Sequence, residues 1–307
     1  MKKIKLLLFS LLTLIAFAFI GLYAFYTIKN VETKTMDVQV RKNSSGQFIA
    51  LTDGMTHYEI AGADTAKTII LVHGFSVPAY IWGATFDSLV EHGFRVVRYD
   101  EFGRGFSDRP SVDYTPAFYR KQLVELIHSL KLKIPVHMAG LSFGGAVVTD
   151  FAVHYPSLID KMILIDPVYR YRKIDGAEMI VNYSMATHPD KQANGQLEDF
   201  KYPERFPDWV DQYKVQMQYK GFRHALISTL INYPGDTIVG NYRKLDSLHK
   251  KVLLIWGKED QTVTFNFSDS LRKHLKVDFF AVDDARHLPH LEKPLEVNQK
   301  IVSFLIE

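Results

Sequence analysis

The chain contains no cysteine among its 307 residues. That excludes a disulfide framework, a thiolate metal site, a cysteine nucleophile and a lipid anchor attached through cysteine. It leaves the compartment open, because an exported protein can do without disulfides. No charge imbalance stands out either. There are 37 basic and 34 acidic residues, a formal net charge of +3, and no long basic run, so nucleic acid is not an expected partner. The phosphate-loop pattern G-x-x-x-x-G-K-[ST] is missing, and Gly103-Arg104-Gly105 lacks the third glycine of a dinucleotide fingerprint. His287 and His290 stand three apart, but no third ligand follows nearby and no His-Glu-x-x-His pattern occurs. Neither a metal nor an organic cofactor is therefore expected. Apart from the N-terminal span, no repeat or low-complexity segment appears.

What is present begins with an apolar N-terminus. Lys2, Lys3 and Lys5 precede Leu6 to Ile28, 23 residues without a charge. As a helix this run spans roughly 34 Å, enough for one crossing of a hydrocarbon core about 30 Å thick. Tyr23, Phe25 and Tyr26 fall near the far end, where aromatic rings favour the interface. The competing expectation is a cleaved signal peptide, with Ala16-Phe17-Ala18 as its small-x-small site. Both send the body across the membrane. The leading lysines keep the N-terminus inside, so the expected location is membrane-anchored with the body on the extracytoplasmic side, or secreted or periplasmic after cleavage.

The whole chain is 47% apolar, enough for a sizeable core. Short apolar runs alternate with helical patterns, which argues for a mostly parallel sheet covered by helices. Thr68–Val72, Phe94–Tyr99, Val136–Ala139, Lys161–Ile165, Val252–Trp256 and Val277–Val282 read as strands. Val38–Val40, Phe48–Leu51 and His57–Ile60 read as weaker strands of an antiparallel edge. Pro116–Leu130, Phe143–His154 and Pro294–Leu305 read as helices. The alternation fails between Val168 and Lys250. The expected division is 1–30 as anchor or signal peptide, 31–167 and 251–307 as one core, and 168–250 as a helical insertion.

Gly140-Leu141-Ser142-Phe143-Gly144 matches G-x-S-x-G, with a strand before it and a helix after it. That context makes Ser142 a nucleophile on a sharp turn, where side chains at Gly140 or Gly144 would crowd helix against strand. A tetrahedral intermediate needs donors aimed at its oxygen anion. The backbone N–H groups of Phe143 and of Phe75, in the loop His73-Gly74-Phe75, are the candidates. His73 itself is expected to hold that loop. His287 follows the last apolar strand and fits the chain order Ser, Asp, His. Asp260, after Trp256-Gly257-Lys258-Glu259, is the acid that would orient it. Glu259, Asp269 and above all Asp166 remain alternatives for the acid, and His290 for the base.

Taken together, His73-Gly74-Phe75, Tyr99-Asp100-Glu101-Phe102-Gly103-Arg104-Gly105-Phe106-Ser107, Gly140 to Gly145, Trp256 to Asp260 and His287 to Pro294 resemble the α/β-hydrolase superfamily. The resemblance covers about Thr68 to Val168 and Lys250 to the C-terminus. One departure is Arg286, where the family often has glycine before the base. The resemblance implies an α/β-hydrolase fold, a mostly parallel doubly wound sheet with an inserted helical cap over the site. It also implies a serine hydrolase that cleaves a small-molecule carboxylic ester through an acyl-enzyme. A lipid-derived ester is the first candidate, because the body hangs near a membrane. Aminopeptidases and C–C bond hydrolases of the same fold stay as alternatives. Of another class, a non-catalytic binding protein stays open too. Relatives that open epoxides or cleave carbon–halogen bonds use aspartate as nucleophile, and Ser142 argues against them. The insertion's aromatic residues, Tyr169, Tyr171, Tyr183, Phe200, Tyr202, Phe206, Trp209, Tyr213, Tyr219 and Phe222, suit either a substrate pocket or the insertion's own core. Arg170, Arg172 and Lys173 suit a solvated face or an acidic group. Oligomeric state is not legible.

Overall fold

The computed structural model describes residues 2–170, 174 and 176–307. Tyr171, Arg172 and Lys173 lie outside the described residues. Eight strands form one sheet: β1 (Gln47–Leu51), β2 (Gly54–Ala61), β3 (Thr68–Val72), β4 (Arg95–Tyr99), β5 (Val136–Leu141), β6 (Ile159–Ile165), β7 (Lys251–Gly257) and β8 (Asp278–Val282). Their spatial order is β1-β2-β4-β3-β5-β6-β7-β8. β1 pairs antiparallel with β2, and β2 with β4. Every other pairing is parallel. Parallel neighbours need long crossovers, and helices supply them.

The helices are α1 (Lys2–Lys29), α2 (Val38–Asn43), α3 (Gly83–Glu91), α4 (Pro116–Ser129), α5 (Phe143–His154), α6 (Glu178–Thr187), α7 (Pro189–Gly195), α8 (Trp209–Met217), α9 (Phe222–Asn232), α10 (Gly235–Ser247), α11 (Asn266–Arg272), α12 (Pro289–Glu292) and α13 (Pro294–Ile306). They cover both sheet faces. Ile70, Val72, Val136 and Met138 pack with Leu123 and Leu126 of α4, Val147 and Phe151 of α5, and Leu245 of α10. Ile69, Leu71, Ala139 and Leu141 pack on the other face with Phe86 and Leu89 of α3 and Val297 and Ile301 of α13. A central strand with apolar residues on both sides is what a doubly covered parallel sheet requires.

One expectation fails locally. Val38–Val40 is not a strand but the start of α2. The Asp37 side chain accepts the Val40 N–H at 2.9 Å, and that cap turns a short Val-Gln-Val stretch into a helix. The antiparallel edge therefore consists of β1 and β2.

Between β6 and β7 the chain runs through α6 to α10. Its aromatic residues pack mainly on one another: Phe200 on Phe206 at 4.2 Å, Phe200 on Trp209 at 5.0 Å, and Tyr213 on Phe222 at 6.1 Å between ring centroids. α1 is long and apolar enough to cross a membrane, with a mean hydropathy of 2.5 and no buried residue in that span. Its far end meets the inserted segment. Tyr26 stacks on Tyr183, and buried Arg223 donates to Asn30 Oδ1 and Tyr26 Oη and pairs with Glu32.

Candidate active site

β3 and β5 flank the point where the strand order reverses. Open α/β sheets place their crevices there, outside the carboxyl ends of the strands. Ser142 follows β5 and the loop 73–75 follows β3, so both arrive at one crevice. β7 and β8 deliver the turns that carry Asp260 and His287 to the same edge.

Ser142 has φ 52° and ψ −117°, a combination that a residue with a Cβ adopts only under restraint. The restraint is visible. The Ser142 N–H donates to the Ile165 carbonyl at 2.9 Å, and its carbonyl accepts the N–H groups of Gly145 and Val168, each at 3.0 Å. Gly144 allows the close approach that sharpens the turn. A Cβ there would sit 2.4 Å from the backbone oxygens of both Val72 and His73. The loop after β3 is thereby pressed against the serine: a Cβ on Gly74 would lie 3.4 Å from Ser142 Cβ.

That loop is held from beneath. His73 Nδ1 lies 2.7 Å from the Gly74 carbonyl, and its Nε2 accepts the Glu101 N–H at 3.0 Å. Nδ1 therefore carries the hydrogen. Burial lowers the His73 pKa to about 4, so the ring is neutral at pH 7. Arg104 Nε adds a bond to the Phe75 carbonyl at 3.0 Å. Among the described residues, the N–H groups of Phe75 and Phe143 have no hydrogen-bond acceptor. Phe143 opens α5, where the first N–H groups lack intrahelical partners.

His287 Nδ1 lies 2.8 Å from Asp260 Oδ2, and both side chains are buried. Asp260 Oδ1 accepts the N–H groups of Thr262 and Val263 at 2.8 and 3.0 Å. Burial depresses the imidazole pKa, but the charge and hydrogen bond of Asp260, with Asp199 beyond, outweigh it and leave it above 6.5. Ser142 and His287 line one cleft of about 290 Å³ with Phe75, Val77, Leu141 and Leu288. Among the described residues, no hydrogen bond joins Ser142 Oγ to His287. Such bonds are often long before substrate seats and then tighten.

The alternatives are placed elsewhere. His290 turns its Nε2 to the Ile81 carbonyl at 3.1 Å, stacks near Trp82, and is held by burial at a pKa of about 4. Glu259 pairs with Lys201, and Asp269 with Arg272. Asp166 does approach the site: oxygen atoms of Asp166 and Asp260 and a nitrogen of His287 lie within 4.8 Å of one another. This is a group with the reach to hold a cation, but two of its three members are already joined by a hydrogen bond.

Sequence reasoning assigns no role to three contributors. Glu292 Oε1 accepts the Lys201 N–H and Oε2 the Arg286 N–H, each at 2.7 Å, which ties the inserted segment to the His287 loop. Asp199 accepts the His287 N–H through its carbonyl at 3.1 Å and lines the cleft. Arg104 also reaches Tyr119 Oη at 2.7 Å and Thr229 Oγ1 at 3.1 Å on α9. Arg104 had a signal in its place between two glycines, and Glu292 in its place within the run from His287 to Pro294; Asp199 had none. None of the described insertion aromatics lines the cleft. The insertion contributes Gly195, Gln196, Glu198 and Asp199 instead.

Comparison with known proteins agrees with this architecture. Among characterised proteins, a carboxylesterase of Bacillus subtilis, YbfK, is 25% identical over 281 residues, 85% of this chain and 88% of that one. The human monoacylglycerol lipase ABHD6 is 22% identical over 292 residues, 89% and 83% of the two chains. Among solved structures, a thermophilic esterase of Thermogutta terrifontis has a TM-score of 0.72 at 22% identity, covering 85% of this chain and 98% of that one. A meta-cleavage product hydrolase, CumD, scores 0.70 at 23% identity, covering 85% and 97%. The family model described as the alpha/beta hydrolase family matches residues 69–300, most of the chain, and so this protein belongs to the alpha/beta hydrolase family and is a hydrolase.

Proposed function

We propose that the protein is a serine esterase acting through an acyl-enzyme on Ser142. The observation that carries this is a buried imidazole bonded at 2.8 Å to a carboxylate, in the same small cleft as a serine on a strained strand-to-helix turn. His287 takes the serine proton as Ser142 Oγ attacks the ester carbonyl. Asp260 fixes the tautomer and stabilises the imidazolium that forms. The unpartnered N–H groups of Phe75 and Phe143 receive the oxygen anion. The imidazolium then protonates the leaving alcohol. Water, activated by the same ring, releases the acid and restores the serine.

The names of two relatives, a carboxylesterase and a monoacylglycerol lipase, support an ester as substrate. A cleft of about 290 Å³ walled by Phe75, Val77, Leu141 and Leu288 suits a short or medium acyl group. In this reading α1 anchors the chain with its lysines inside, residues 31–167 and 251–307 form the catalytic core on the extracytoplasmic side, and residues 168–250 cap it. The anchor would hold the core where lipid-derived esters are available. A panel of esters of increasing acyl length, with amino-acid amides alongside, tests the substrate class. Preference for short to medium esters supports it. Faster cleavage of the amides contradicts it.

A further inference from the structure

The site contains one buried carboxyl group that the steps above do not use. Asp166 directly follows β6 with φ 41°, a backbone state rare for a residue with a Cβ. Its side chain is wholly buried. Oδ1 accepts the Gly257 N–H at 2.9 Å. Oδ2 is buried as well and has no donor to accept from among the described residues. An oxygen of Asp260 lies within 4.8 Å of an Asp166 oxygen, and the Asp260 oxygens already take two backbone N–H groups and face the His287 ring.

Two carboxyl groups at this separation do not both ionise readily, and the donors are unevenly shared. Asp260 holds three and Asp166 holds one. Glu292 adds a further negative charge near Asp166. Around His287 stand Asp260, Asp199 and the neutral ring of His290. Burial, and then the Asp260 charge, push the Asp166 carboxyl well above the usual carboxylate range.

We propose that Asp166 is a positioning residue of this site, a carboxylic acid that keeps its proton and donates it in a hydrogen bond to the Asp260 carboxylate. The O–H fixes the plane of Asp260, and with it the orientation of His287. It also tempers the pull of Asp260 on the imidazolium without adding a second negative charge beside the ring. The proposal rests on the reading of Ser142, Asp260 and His287 as the catalytic set.

Two substitutions in the full chain test it. Asn and Gly both accept positive φ, so neither strains the turn. Asp166→Asn keeps an acceptor for Gly257 and a neutral donor for Asp260. Its kcat/KM for a soluble short-chain ester should stay within about threefold of the unaltered enzyme, with the acid limb of the pH profile unmoved, because a neutral group replaces a neutral group. Asp166→Gly removes the donor and should lower kcat by about tenfold or more with little change in KM, the usual size of a lost bond to a charged group. If Asp166 instead carries a charge, Asp166→Asn shifts the acid limb about one unit or more to lower pH, since an anion beside the imidazolium is gone. That shift, a collapse of activity in Asp166→Asn, or full activity in Asp166→Gly overturns the proposal. The catalytic-set reading fails separately, through turnover that survives Ser142→Ala.

Discussion

Replacing Glu101 with Gln should make the stability of this protein less dependent on pH, and the structure sets the size of the effect. Glu101 follows β4, is fully buried, and has no hydrogen-bond partner for either carboxyl oxygen among the described residues. Burial raises its pKa, Arg104 opposes the rise and Asp100 adds to it, and the result is a change from 4.5 to about 8. The folded chain therefore holds one proton more than the unfolded chain between those values. A raised folded pKa contributes stability that is fully present below 4.5 and is lost as the pH rises through about 8. At about 1.36 kcal/mol per unit, 3.5 units correspond to about 5 kcal/mol across the window. Gln does not titrate. The stability of Glu101→Gln relative to the unaltered chain should thus rise by about 5 kcal/mol from the acid to the alkaline end. In a chain of this size that is about 10 °C in melting temperature, taking about 2 °C per kcal/mol. Other titrating groups, including neutral His73 and His290, are present in both proteins and largely cancel in the difference. Melting temperatures of the detergent-solubilised full chains across a pH series measure it. A difference that stays flat with pH would refute the reasoning, because it would mean that Glu101 stays ionised with a partner.

Three further outcomes follow from the site geometry. His287 must be neutral to accept a proton, and its pKa is raised above 6.5, so kcat/KM should climb with pH through a limb centred above 6.5. A limb below that value contradicts the environment described for the ring. Gly144→Ala places a Cβ 2.4 Å from the Val72 and His73 oxygens, and thermal melts should show a loss of about 1–3 kcal/mol together with reduced turnover. Glu292→Ala strands the N–H groups of Lys201 and Arg286. It should cost about 2–3 kcal/mol in denaturant melts and lower kcat by loosening the His287 loop, with Glu292→Gln closer to the unaltered chain.

The central strands were legible because each is a short, mostly apolar run. The Thr68–Val72 run is buried on both faces as observed, and no helix of that length competes. The turn at Ser142 was legible because close backbone approach demands glycine, and glycine leaves a trace in the sequence. α2 was not, because a single side-chain cap at Asp37 outweighs the pattern of three residues. The role of the insertion's aromatic residues was undecidable in advance: a ring that fills a core and a ring that lines a pocket look alike until packing is known. The partnership of Asp166 with Asp260 was hidden for a different reason. Which of two nearby carboxyl groups keeps a proton depends on how many N–H donors each receives, and that count exists only in the folded chain. The Glu292 bond to Lys201 joins residues 91 apart with no pattern to announce it.

The most direct test of the account is reaction of the full chain with a fluorophosphonate probe, followed by mass analysis of the digested adduct. The account predicts a single covalent adduct on Ser142, lost in Ser142→Ala and formed far more slowly in His287→Ala. An adduct on another residue, or labelling of Ser142 at an unchanged rate without the imidazole, would contradict it.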